Sequence, residues 1–487
     1  MRILTRYLFL LMVCILMPQV SHAQSVAEPF QWRMLNHWDT LDGTVERGYA
    51  GRSIFWPNLQ RDKIEAYAQE NEALGINAIV PNNVNASPRM LTREILEQTR
   101  DLADMLRPHG IRVFLAVNFA TPMSLGELPT ADPLNKDVQR WWKNKVKEIY
   151  SLIPDFGGFL VKANSEGQPG PNDFGRSHAD GANMLAEALK PYGGIVMWRA
   201  FVYDPASPDR ANQAVEEFLP LDGQFADNVI IQIKNGPIDF QAREPFSPLF
   251  GQLRHTNMMM EFQITQEYLG FSNHLVYHGT TYEEVLDSDT YRDGEGSTVA
   301  KVIKGIAGVA NTGQDKNFSG YIFAQSNWYM FGRMAWNPEL SADEIADEWI
   351  RQTFVRPQGM SEKAFDNKFI APVKDILMES REACVNYTMP LGLHHIFAGS
   401  HYGPGPWERS IRQDWSPMFY HKADAEGIGF ERTRRGSDNV DQYNEPLASK
   451  YDDITTCPEN LLLWFHHVPW DYKMKSGRTV WDEICLH

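Results

Sequence analysis

Residues 158–166 read Gly-Phe-Leu-Val-Lys-Ala-Asn-Ser-Glu, an apolar run that turns polar at its C-terminal end. Successive side chains of a strand point to opposite faces, so Leu160, Lys162, Asn164 and Glu166 share one side. The apolar start predicts a strand covered on both faces, as in a parallel sheet wrapped by helices. The polar end predicts a functional rim, because α/β barrels gather their reactive side chains where the strands end.

The same design recurs on either side. Strand-like runs are predicted at 31–36, 77–81, 112–117, 158–162, 195–198, 229–233, 258–262 and 320–324. Helical segments are predicted between them at 62–74, 91–106, 136–152, 178–189, 210–218 and 298–310. Strands alternating with helices over residues 24–335 predict a (β/α)8 TIM barrel. A doubly wound nucleotide-binding sheet lacks support, since there is no Gly-x-Gly-x-x-Gly run or phosphate loop. From 336 to 487 the pattern becomes helical. Ser341-Ala-Asp-Glu344 is a capping box opening a helix through 354. Further helices are predicted at 361–385 and around 459–466, with a loop-rich aromatic stretch between them. This predicts a mainly α-helical C-terminal domain packed on the barrel.

Residues 1–23 have the form of a secretory signal peptide: Arg2 and Arg6, an apolar run from Tyr7 to Met17, and Ser21-His22-Ala23 before Gln24. The run is too short to span a bilayer, which takes about 20 apolar residues. The expectation is export, to a periplasm or out of the cell, with no membrane span. Beyond the signal stand Cys384, Cys457 and Cys485, too few for a disulfide scaffold and without Cys-x-x-Cys spacing. The formal net charge is −16. So acidic a surface repels nucleic acid and anionic membranes. An anionic small molecule would need a local basic pocket.

Such a pocket is what the alternation predicts. Met197 and Arg199 share a face on the fifth run, as do Gln232 and Lys234 on the sixth. With Lys162 they put three cations at matched heights on neighbouring strands. Arg199 can grip a carboxylate through its fork, and the lysines add point charge. Glu166, Asp239 and Glu267 follow the fourth, sixth and seventh runs. One carboxyl that protonates a leaving oxygen and another that activates water are what glycosidic hydrolysis needs. Glu166 is the candidate acid, and either Asp239 or Glu267 can be the base. Glu261, earlier on the seventh run, is read as a core-pairing residue. Trp38, Trp198 and Trp328 are candidates for stacking on a sugar face. The adjacent pairs His394-His395 and His466-His467 share no face, and no His-Glu-x-x-His helix exists, so a metal site has little support.

Several stretches resemble glycoside hydrolase family 67, the α-glucuronidases. They are Asn-His-Trp-Asp at 36–39, Lys-Ala-Asn-Ser-Glu-Gly-Gln-Pro-Gly-Pro at 162–171, Trp-Arg at 198–199, Ile-Lys-Asn-Gly-Pro-Ile-Asp-Phe at 233–240 and Glu-Phe-Gln-Ile-Thr-Gln-Glu-Tyr-Leu-Gly at 261–270. Gly-Leu-His-His at 392–395 and Tyr-Gly-Pro-Gly-Pro-Trp at 402–407 extend the likeness. The resemblance implies an inverting enzyme that removes (4-O-methyl)-glucuronic acid, α-1,2-linked to the terminal non-reducing xylose of short xylo-oligosaccharides. It implies Glu166 as general acid, Asp239 and Glu267 as the water-activating pair, and Trp38, Lys162, Arg199 and Lys234 as substrate-binding residues. It also implies that no metal or cofactor is needed, and a homodimer formed through the C-terminal domain. Against the family pattern, the sequence reads as lacking a β-rich N-terminal domain and as stopping within the C-terminal one.

Overall fold

Strand β1 (Trp32–His37) pairs in parallel with β2 (Ala78–Val80) on one side and with β8 (Gly305–Ala310) on the other. This is seen in a computed structural model, which describes residues 29–201, 207–270, 274–394 and 421–487. The expected signal peptide and the 402–407 motif lie outside the described residues. Arg112–Val113 and Leu115–Ala116 are two halves of one strand, β3. The first half pairs with β2 and the second with β4 (Gly158–Val161). Then follow β5 (Ile195–Arg199), β6 (Val229–Lys234) and β7 (Met258–Gln263), each parallel to its neighbour, until β7 pairs with β8. The two halves of β3 thus join the ends of the sheet into a closed eight-stranded barrel.

Helices α1 (Arg61–Ala73), α2 (Arg93–Leu106), α3 (Lys136–Leu152), α4 (His178–Leu189), α5 (Gln213–Phe218), α6 (Leu249–Gln252), α7 (Gly279–Asp287) and α8 (Ile322–Trp336) follow the strands in turn. α3 starts where Asn135 accepts hydrogen bonds from the Asp137 and Val138 amides, and α4 starts at a Ser177–Asp180 capping box. Inside the barrel Met34, Ala78, Phe114, Leu160, Met197, Ile230, Met259 and Ala307 form an apolar plug. The opposite parity of each strand packs outward under the helices.

One strand was misplaced by the sequence reading. The expected helix at 298–310 is helical only over Val299–Val302, and Gly305–Ala310 is the eighth strand. The expected strand at 320–324 opens α8 instead. Gly-Ile-Ala-Gly-Val-Ala is buried on both faces, so it shows no period-2 alternation, and its small residues resemble a helix in composition. Ladder partners on both sides decide for the strand.

Beyond the barrel, α9 (Ala342–Thr353) begins at the expected Ser341–Glu344 capping box. The expected helix at 361–385 is capped by Ser361, widens into a π turn at Asp366–Ile370 and continues as α10 (Ala371–Thr388). A short antiparallel pair, β9 (Gly427–Ile428) with β10 (Val468–Pro469), sits among the later turns. These segments grip the barrel's rim loops. Arg432 forms a buried 2.9 Å ion pair with Asp209 after β5. Gln241, after β6, donates to the Leu393 carbonyl at 3.1 Å, and the neighbouring Arg243 pairs with Glu382 of α10. No helix among the described residues is long and apolar enough to cross a membrane.

The end of β1 holds a buried polar knot. His37 Nε2 lies 2.7 Å from the Tyr67 hydroxyl, and Asp39 is fully buried. Burial pushes the His37 imidazole down to about 3. Burial pushes the Asp39 carboxyl up to about 8, with the Ser53 hydroxyl pulling weakly the other way. An unfolded carboxyl titrates at about 3.9. Between those values the folded chain holds a proton that the unfolded chain has lost, so Asp39 lowers stability as pH rises through this window. His37 acts with the opposite sign, and its contribution is lost as pH falls below about 6.5 towards 3. Asp39→Asn is therefore expected to flatten the decline in unfolding free energy between pH 6.5 and 8, by up to about 1.4 kcal/mol per pH unit. Urea unfolding across that range measures it, and an unchanged slope contradicts a protonated Asp39.

Candidate active site

Above the apolar plug the inward parity turns polar. Arg199, the last residue of β5, donates from Nε and Nη2 to the two oxygens of Glu261 on β7, at 2.8 and 2.6 Å. Gln232, on the strand between them, adds a 2.7 Å hydrogen bond to the same carboxylate. Both charged side chains are almost fully buried, Arg199 at 3% and Glu261 at 1% exposure. Burial would push the Glu261 carboxyl up, but the Arg199 charge and hydrogen bonds outweigh it and hold it below the ordinary range. The fork of Arg199 is thus occupied from within the protein. What it can present to a ligand is its remaining N–H groups, not the full bidentate edge expected from the sequence.

One cavity at the strand ends is lined by all seven residues singled out from the sequence: Trp38, Lys162, Glu166, Arg199, Lys234, Asp239 and Glu267. Lys162 stands just past β4 with its ammonium buried, donating to Asn85 Oδ1 at 2.9 Å and to Glu166. Burial holds this ammonium below its ordinary value, and the Glu166 carboxylate opposes that shift. Glu166 is the exposed partner, with 47% of its side chain accessible. It sits in a tight turn, with the Gln168 amide donating to the Ser165 carbonyl at 2.9 Å, and at a left-handed φ of 47°. Asn164 organises that turn by accepting from the Asn172 amide at 3.0 Å. A Cβ on Gly170 would lie 2.1 Å from Asn164 Oδ1, which explains the glycine in this motif.

Lys234, at the end of β6, pairs with Asp239, and the Tyr268 hydroxyl donates to the other Asp239 oxygen at 2.7 Å. The Asp239 loop folds over Glu244, whose carboxylate accepts from the Ile238 amide at 3.1 Å. A Cβ on Gly236 would fall 1.6 Å from Glu244 Oε1, so a side chain there would push the Glu244 carboxyl out of place. Glu267 is buried. It accepts from Gln263 Nε2 at 2.8 Å and from Arg47 Nε at 2.9 Å.

The sequence reading missed Arg47, Asn83, Asn85, Phe201, Phe240 and Tyr268, which line the same cavity. Phe201 was within reach, since it continues the parity of Arg199. Its ring lies 3.5 Å from Lys234 Nζ, 5.3 Å from Arg199 Cζ and 5.5 Å from Lys162 Nζ, a face shared by three cations. Two of the three tryptophans proposed for stacking are elsewhere. Trp198 faces outward and donates to His178 Nδ1 at 3.1 Å, and Trp328 is buried on α8, donating to Asn71. Trp198 has the parity opposite to Arg199, and Trp328 lies on a helix that was read as following a strand.

A closed parallel barrel with acids and cations facing each other across its mouth is the framework of a barrel glycoside hydrolase. Residues 17–318 match the glycosyl hydrolase family 67 middle domain and residues 319–487 its C-terminus. The chain belongs to glycoside hydrolase family 67. It is 45% identical to alpha-glucuronidase A of Emericella nidulans, over 94% of this chain and 56% of that protein. Probable alpha-glucuronidase A of Aspergillus fumigatus is 43% identical and that of Aspergillus terreus 44%, each over 95% of this chain and 56% of the relative. The chain therefore spans about half the length of the curated relatives it matches.

Removing one member of a buried ion pair costs about 3–5 kcal/mol, because the other charge is left uncompensated. Glu261→Ala is expected to lose stability on that scale in urea unfolding. The double variant R199M/E261M is expected to lose less, since no buried charge remains. Wild-type stability in the single variant would contradict the buried pair.

Proposed function

We propose that the chain is an inverting α-glucuronidase. It hydrolyses the α-1,2 bond between (4-O-methyl)-glucuronic acid and the terminal non-reducing xylose of short xylo-oligosaccharides. The observation that carries this reading is the single cavity in which three carboxylates meet cations at the end of the barrel. Family membership and the names of the relatives support the uronic acid as the sugar released.

In this reading Lys162, Lys234 and the free N–H groups of Arg199 attract the uronate carboxylate, and Trp38 packs against the sugar. The buried ammoniums stand against the Phe201 ring, where little water screens them. Glu166 is the most accessible of the three carboxyls, as a group that must reach an incoming glycosidic oxygen has to be. It donates its proton to the departing xylose oxygen as the C1–O bond breaks. A water on the opposite face of the sugar gives its proton to the Asp239–Glu267 pair and forms the new C1–O bond. Both members of that pair are tied to protein donors, so their oxygens are oriented before a water arrives. Export directed by residues 1–23 belongs to the same reading, since the polymer from which such fragments come lies outside the cell that degrades it.

Proton NMR of the products from a glucuronic-acid-bearing xylotriose tests the proposal. Inversion of the α-linkage predicts β-glucuronic acid as the first-formed anomer, and α-anomer appearing first would overturn the inverting mechanism. Glu166→Gln is expected to lower kcat by about 10²–10⁴-fold, the usual contribution of a general acid. Glucuronate binding by a wild-type protein that releases no uronic acid would instead identify a carbohydrate-binding protein.

A further inference from the structure

Arg47 comes from the loop after β1, far in sequence from the carboxylate it holds, and no strand alternation announces it. Its Nε donates to Glu267 Oε1 at 2.9 Å, while Gln263 satisfies the other oxygen. The two donors fix the plane of the Glu267 carboxylate from opposite sides. Burial would pull the Arg47 guanidinium down, but Glu267 outweighs it and holds it above the ordinary value.

The protein spends structure on aiming this side chain. Arg47 adopts a left-handed φ of 56°, a conformation uncommon for a residue with a Cβ, which persists where neighbours over-determine it. Those neighbours are in place. Asn311, directly after β8, donates from Nδ2 to the Glu46 carbonyl at 2.9 Å and to the Arg47 carbonyl. The Glu46 amide returns to the Trp38 carbonyl at 2.9 Å, and Asn83 Nδ2 binds the Glu46 carboxylate at 2.8 Å. The ends of β1, β2 and β8 thus converge on Glu46 and Arg47.

We propose that Arg47 is a positioning residue for hydrolysis. It holds Glu267 so that this carboxylate and Asp239 address the same water, and it does not itself act on the bond that breaks. This inference rests on the hydrolase reading above. Removing Arg47 leaves the buried Glu267 without its charged partner and so costs some stability, whereas a misplacement of about 1 Å at a reacting group can cost on the order of 10²-fold in rate. Lysine keeps the charge but not the directed Nε–H.

The test is steady-state kinetics of Arg47→Ala and Arg47→Lys on the glucuronic-acid-bearing xylotriose, with melting temperatures. Arg47→Ala is expected to lower kcat on the order of 10²-fold, leave KM little changed, lower the melting temperature while staying folded at the assay temperature, and recover part of its rate in added guanidinium or methylguanidinium. Arg47→Lys is expected to fall between it and wild type. Should Arg47→Ala not fold, Asn311→Ala carries the test, with a smaller loss of kcat at unchanged KM. A rise in KM at constant kcat would overturn the proposal in favour of a sugar contact. A loss of kcat that tracks melting temperature and resists rescue would overturn it in favour of a structural role. Wild-type protein that releases no uronic acid defeats the hydrolase reading itself, whereas active wild type with fully active Arg47→Ala defeats this inference alone.

Discussion

The buried ion pair between Arg199 and Glu261 is the constraint around which the barrel mouth is arranged. It spans three strands, with Gln232 on the middle one bonded to the same carboxylate. Below it lies the apolar plug, and above it the cavity. Such a pair contributes little net stability, because desolvating two charges offsets most of their attraction. What it supplies is position. Glu261 orients Arg199 through two hydrogen bonds, and so sets the floor on which Lys162, Lys234 and Phe201 stand.

The same economy governs the rest of the rim. Each of the three carboxylates has a basic partner: Lys162 for Glu166, Lys234 for Asp239 and Arg47 for Glu267. Without those partners three acids gathered in one cavity would repel one another. With them, an acidic protein carries a locally balanced pocket that can receive an anion. The loops that carry Asp239 and Phe201 are themselves held from outside the barrel, through the contacts of Gln241 with Leu393 and of Asp209 with Arg432. The C-terminal segments thereby contribute to the site's geometry.

Much of this was legible in the amino-acid order, for definite reasons. Seven of the eight strands are apolar runs bounded by polar residues, and their parity correctly points Lys162, Arg199 and Lys234 inward. The eighth was not legible, because Gly305–Ala310 is small-residued and buried on both faces, and only its partners reveal it. Arg47 and Asn85 were not legible because loops have no period, and their roles come from contacts across long sequence separations. The pairing of Arg199 with Glu261 was half legible. Glu261 was read as a core partner, but alternation gives a side chain's face and not which neighbour its fork will meet.

The central proposal is that this charge-balanced cavity receives a uronate. Calorimetric titration of the protein with glucuronate and, separately, with glucose tests it most directly, since the two sugars differ at the carboxylate alone. The account predicts saturable binding of glucuronate that weakens with added salt, and much weaker or undetectable binding of glucose. Glucose binding as tightly as glucuronate would contradict it.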